Sequence, residues 1–180
     1  MKKLLIAASL ILSVNAVSAQ KYFTRTGNIS FFSHTPMEDI KAVNNEVSSV
    51  LDAATGEVRF IVPINSFKFQ NALMQEHFNE NYMESTKFPK AEFKGTVSNI
   101  SAAQLSKNGT YNTTVTGKLT MHGVTKDVSV PGTITVKDGS VTANTKFTVQ
   151  TADYSIKVPT EKVAKSIEIT VSSILAPAKK

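Results

Sequence analysis

Thr110–Gln150 reads TYNTTVTGKLTMHGVTKDVSVPGTITVKDGSVTANTKFTVQ. Eleven of these 41 residues are Thr and seven are Val, and β-branched side chains at that density favour strands over helix. The pattern alternates with a period of two. Tyr111, Thr113, Val115, Gly117, Leu119 and Met121 share one face, and Asn112, Thr114, Thr116, Lys118 and Thr120 share the other. Val128, Val130, Gly132, Ile134 and Val136 repeat the pattern, as do Val141, Ala143, Thr145, Phe147 and Val149. His122-Gly123 and Asp138-Gly139 separate the runs, and both are two-residue hairpin signals. The stretch therefore predicts three long strands in a meander.

Working outward, the same alternation recurs on both sides. Tyr22–Arg25 and Asn28–His34 flank Gly27-Asn28, which reads as another hairpin turn. Asn45–Leu51 and Glu57–Ile64 flank a turn-rich connection, Asp52–Gly56. Phe93, Gly95 and Val97 alternate with polar neighbours, and so do Ile167, Ile169 and Val171. About eight or nine strands result, with spacing typical of a sandwich or barrel. One segment breaks the period. In Gln70–Met83, the residues Met74, Phe78 and Tyr82 recur every four positions, which predicts an amphipathic helix. Thr160–Lys165 gives a weaker helical signal.

The chain has 180 residues and a formal net charge of +6. That length suits one domain. Residues 1–19 read as a secretory signal peptide: Lys2 and Lys3, an apolar run from Leu4 to Leu12, and a Val17-Ser18-Ala19 cleavage site. The run is shorter than the roughly 18 apolar residues of a spanning helix, and no later stretch reaches that length. The expected product is a periplasmic or secreted domain, residues 20–180, without stable membrane insertion. Cys is absent, which excludes disulfides, thiolate metal sites and a cysteine nucleophile. Lys87, Lys90 and Lys94 are the densest basic group. No basic stripe with interleaved aromatics exists, so nucleic acid is not an expected partner.

The chemistry of catalysis is sparse. The three His, at 34, 77 and 122, are far apart in sequence and form no metal-binding spacing. His122 sits in a hairpin turn and is expected to face solvent; His77 lies near the apolar edge of the helix; His34 ends a strand. Neither a Gly-x-Ser-x-Gly elbow nor a phosphate-binding glycine loop is present. No catalytic residue, metal or cofactor is expected.

The inward strand faces mix large and small residues. Gly95, Thr113, Gly117, Gly132, Ala143, Thr145 and Ser173 sit among Val, Ile and Phe. An eight-stranded barrel either fills itself with side chains or holds one ligand, and the composition allows both. A lumen here would be lined by Phe31, Phe60 and Phe93, by Val115, Leu119 and Val130, and by Phe147. Met74, Phe78 and Tyr82 of the helix would form a lid or wall over one opening. Such an apolar lining favours a long apolar ligand. The competing reading is a structural or stress-related barrel with a filled interior.

Three stretches carry a family resemblance. His77-Phe78, Tyr82-Met83 and Thr86–Phe93 (TKFPKAEF) resemble a mid-chain signature, Thr116–Lys126 (TGKLTMHGVTK) resembles a second, and Ser30–His34 resembles an N-terminal strand ending in His. In this order and spacing the chain, from about Tyr22 to Leu175, resembles the YceI-like polyisoprenoid-binding family of secreted bacterial proteins. The resemblance implies a lipocalin-like antiparallel barrel with one or two short helices in the connections. It also implies a long isoprenoid chain as ligand in the pore, in a family not established as enzymatic; with the apolar lining, the expected ligand is a polyisoprenoid, a prenyl quinone or a similar lipid, and no enzymatic activity is expected. The helix departs from the family pattern. Phe78-Asn79 and Asn81-Tyr82 stand where members carry a basic residue and an Asp-Phe pair, so no head-group contact is carried over.

Overall fold

The structure is a computed structural model that describes residues 20–178; the expected signal peptide, residues 1–19, lies outside them. Nine strands follow one another: β1 (Lys21–His34), β2 (Asp39–Asp52), β3 (Glu57–Pro63), β4 (Lys68–Phe69), β5 (Lys90–Ser98), β6 (Gly109–Met121), β7 (Val124–Lys137), β8 (Ser140–Gln150) and β9 (Ser166–Pro177). The order around the sheet is β1-β9-β8-β7-β6-β5-β3-β2, and pairing of β1 with β2 closes it. All pairings are antiparallel. The result is an eight-stranded closed barrel, with β4 an extra two-residue strand on β2. Closure removes every barrel edge.

The meander predicted from Thr110–Gln150 forms as read. His122 and Gly123 have φ of 51° and 76°, and Asp138 and Gly139 have φ of 49° and 81°. Positive φ at both central residues is the hairpin geometry that matches strand twist.

The N-terminal half differs from its sequence reading. Gly27-Asn28 is no turn, since β1 runs through it and only its register shifts, against β2 between Thr24 and Ile29 and against β9 between Phe23 and Asn28. The physical reason is packing: a Cβ at Gly27 would lie 2.3 Å from Ser173 Oγ and 3.1 Å from Val47 O. The glycine admits a close approach across the barrel wall, with no positive φ. β2 likewise starts at Asp39 rather than Asn45. The turn before it is held by Thr35, whose Oγ1 accepts from the backbone N–H groups of Met37 and Glu38.

The Gln70–Met83 helix is shorter and less regular than its periodicity suggests. The α-helix α1 spans Ala72–His77, capped by the Asn71 side chain, and then widens into a π-turn over Phe78–Tyr82. Thr160–Lys165 forms no helix; Lys162 and Val163 N–H both donate to Pro159 O in a single turn. The second short helix is α2 (Ala102–Leu105), started by a capping box between Ser101 and Gln104.

Two apolar clusters fill the barrel ends. At the base, Tyr22, Leu51, Leu105, Val136, Val141 and Leu175 are buried together, and Tyr22 OH donates to Leu105 O at 3.1 Å. At the other end, Phe67 from the connection before β4, Met83 from the end of the helical segment, and Tyr154, Ile156 and Val163 from the Thr151–Lys165 connection pack together.

Candidate functional site: an apolar cavity along the barrel

Between these ends lies a cavity of ≈ 230 Å³, lined by residues from all eight barrel strands. All seven strand residues expected to face a lumen line it: Phe31, Phe60, Phe93, Val115, Leu119, Val130 and Phe147. Registration across strands explains why they converge. Phe60, Phe93 and Leu119 are successive cross-strand partners, as are Val97, Val115 and Val130, and Phe31, Ile169 and Phe147. Period-two alternation points each row inward. The seven expected side chains are only half-buried, although they point away from the outer surface, because their free area faces the void.

The small inward residues divide into two groups. Thr113, Gly132, Ala143 and Thr145 line the cavity. Gly95 and Gly117 do not. They are cross-strand partners, and a Cβ on Gly117 would lie 2.3 Å from Lys94 O and 2.5 Å from Gly95 Cα. That pair sets how closely β5 and β6 approach rather than how wide the lumen is. Ser173 is fully buried in the wall, where its Oγ takes the room left by Gly27.

Of the helical residues, Phe78 and Tyr82 line the cavity and Met74 does not. Met74 is half-buried on α1, and its neighbour Leu73 is 56% exposed. The period-four stripe fails because the helix opens after His77. Met83 N–H donates to Phe78 O at 2.8 Å, an i→i+5 contact of the widened turn. The stripe facing the cavity is therefore Phe78, Tyr82 and Met83. Phe78 is fixed by aromatic contacts to Phe31, Phe67 and Phe69 with ring centroids 5.0–5.5 Å apart. Sequence reading missed Phe67, which lines the cavity from the connection before β4, and Phe69 of β4, which packs on Phe78; two Phe in the window Phe67-Lys68-Phe69 were the available signal.

Glu92 is the one charged residue of the lining, and its carboxylate is engaged by cations. Lys90 and Arg59 bind it and hold it below the usual carboxylate range, Lys90 contributing most. The remaining lining is apolar apart from a few hydroxyls, the Asn144 amide and backbone.

The histidines do not gather. His34 ends β1 and meets Asp39, and His77 is exposed at the end of α1. His122 does not face solvent as its turn position suggests: its side chain is 9% exposed. Its Nδ1 meets Tyr154 O at 3.1 Å, its Nε2 meets Glu84 Oε1 at 3.2 Å, and its ring packs edge-on against Phe88 with centroids 4.6 Å apart. Among the described residues, no group of three or more His, Asp or Glu is placed to hold a metal ion, and no helix is long and apolar enough to cross a membrane.

Comparison with known proteins gives one family and one fold. Residues 18–174 match the YceI-like domain. Among solved structures, the barrel is similar to a polyisoprenoid binding domain from Saccharophagus degradans, at 12% identity and a TM-score of 0.77, covering 89% of this chain and 100% of that one. BcnA of Burkholderia cenocepacia is 18% identical with a TM-score of 0.70, covering 83% and 96%. A Campylobacter jejuni YCEI protein is 17% identical with a TM-score of 0.64, covering 98% and 100%. No curated protein matches the chain. The structural likenesses show the fold; with the domain match over most of the sequence, they place the chain in the YceI-like domain family.

Proposed function

We propose that this protein is a secreted, periplasmic carrier that holds a long apolar chain, such as a polyisoprenoid, a prenyl quinone or a similar lipid, in the barrel lumen. The observation that carries the reading is the continuous apolar cavity, lined from every barrel strand and by Phe78, Tyr82 and Met83. The similarity to a polyisoprenoid binding domain supports the ligand class, and the signal-like residues 1–19 support export. Affinity comes from apolar burial, at about 25 cal/mol per Å². Association costs have to be met first, so long chains are favoured over short ones. Membership of the YceI-like domain family supports a binding role.

The test is direct. Purified protein is extracted with organic solvent and the extract is examined by mass spectrometry. A co-purified lipid that rebinds the stripped barrel is the expected result. A stripped barrel that takes up neither this lipid nor a prenyl alcohol would leave the filled structural barrel as the better reading.

A further inference from the structure

The seam between β7 and β8 is paired over only part of its length. Pairing runs from Lys137 and Ser140 to Gly132 and Thr145 and stops there. At the same register, residues 127–131 would face residues 146–150. They do not pair, although both stretches keep their partners on the far side, residues 127–131 on β6 and residues 146–150 on β9. Pro131 stands at the break. It has no N–H to continue a ladder, and its carbonyl accepts from the Thr145 hydroxyl at 2.7 Å. The strands stay unpaired beyond it: Asp127 and Ser129 do carry N–H groups, and neither pairs with β8.

Side chains on both flanks of this split reach the lumen, Val128 and Val130 from β7 and Phe147 and Val149 from β8. Val128 and Val130 pack into neither of the clusters that fill the barrel ends. The outward residues beside them, Ser129, Lys146 and Thr148, are exposed. Beyond the split, Thr151–Tyr154 packs against β7 and β8, and His122 Nδ1 fastens it at Tyr154 O. The split is thus bounded at one end by Pro131 and Thr145 and at the other by Tyr154, with an apolar inner face and a polar outer one.

We propose that this split is the portal of the cavity: an apolar chain enters and leaves sideways, between Val128 and Val130 of β7 and Phe147 of β8. Both barrel ends are filled, by Tyr22, Leu51 and Leu105 at the base and by Phe67, Met83 and Ile156 at the other end. An axial route has to open one of these clusters. The sideways route breaks no pairing between β7 and β8, and unpaired stretches open at a lower free energy than paired ones. This inference rests on the carrier reading above.

The experiment joins the two strands across the split. The chain has no Cys, so Ser129→Cys with Thr148→Cys in the stripped mature protein gives one pair for a short bis-maleimide. Thr135→Cys with Thr142→Cys, cross-strand partners in the paired part of the same seam, is the control. Uptake of N-phenyl-1-naphthylamine, a fluorescent apolar probe, and its release into excess farnesol are followed by stopped flow. Joining 129 to 148 is expected to slow uptake and release alike, by about tenfold, with Kd unchanged, because a gate alters rates and not the site; joining 135 to 142 is expected to change neither. Mass spectrometry verifies the cross-link and thermal melting the fold. Streptavidin bound to a biotin-maleimide at Thr148→Cys, against the same label at Thr142→Cys, blocks the split without a cross-link and is expected to give the same slowing. Unchanged rates, equal slowing at both positions, or a loss of affinity at an unchanged uptake rate would overturn the portal and leave the carrier reading intact. Failure of the parent protein to bind the probe or farnesol would overturn both.

Discussion

Glu84 Oε1 and His122 Nε2 meet at 3.2 Å although 38 residues separate them in the chain. The contact ties the segment after the π-turn to the tip of the β6–β7 hairpin, and His122 Nδ1 extends the link to Tyr154 O. Three pieces of the covered barrel end are thereby joined through one ring. Both residues adopt positive φ, 43° at Glu84 and 51° at His122, a conformation that costs free energy in non-glycine residues.

That link is pH-dependent through its carboxylate. The hydrogen bond to His122, and then the charge of Lys87, hold Glu84 below the usual carboxylate range. A depressed carboxyl stabilises the fold above its unfolded value, and the contribution is lost as pH falls through the lowered folded value. The protection of amides 78–88 from hydrogen exchange, taken relative to the intrinsic exchange rate at each pH, should therefore fall on acidification in the parent protein. Glu84→Gln should show lower protection already at neutral pH and a flatter acid response of that protection; an identical protection profile in both proteins would count against the link.

Two small inward residues should behave oppositely when enlarged. Gly117→Ala places a methyl against Lys94 O and Gly95 Cα, and overpacking of this kind costs about 1–3 kcal/mol. Gly117→Phe is expected not to fold. Ala143→Phe points into the cavity instead and should keep the barrel folded while abolishing lipid uptake. Thermal melts paired with an uptake assay distinguish the two.

Phe78 and Met74 separate a structural contact from an apparent one. Phe78→Ala removes contacts to three other rings. Full core truncation of Phe costs about 3–5 kcal/mol, and half-buried Phe78 should fall at or below the lower limit, with faster ligand release. Met74 is off the lining, and Met74→Ala should cost less than about 1 kcal/mol with release unchanged. Urea unfolding and stopped-flow dissociation give the two quantities.

The base should be independent of the ligand. Tyr22→Phe removes the donor to Leu105 O and leaves a buried carbonyl unpaired, at a cost of about 1–3 kcal/mol. Neither residue lines the cavity, so binding of an apolar chain should be unaffected at temperatures where the variant is folded. A matched loss of affinity would show that the base and the lumen are coupled.

The sequence by itself determined the β6–β8 meander and the inward faces of its strands. Alternation is a local property, and Val115, Leu119, Val130 and Phe147 point inward because each sits an even number of residues from its neighbours on the inner face. The Gly turns at His122-Gly123 and Asp138-Gly139 were equally legible, since positive φ is a local demand. Only tertiary structure decided which distant residue lies beside each one. Gly27 reads as a turn locally and serves as a crossing point because Ser173 approaches it. His122 occupies a turn that is solvent-facing by position, yet it is buried because Glu84, Phe88 and Tyr154 arrive from elsewhere in the chain. The same holds for the void. It is the difference between the space enclosed by eight registered strands and the volume of side chains that reach into it, and no short stretch of sequence specifies either quantity.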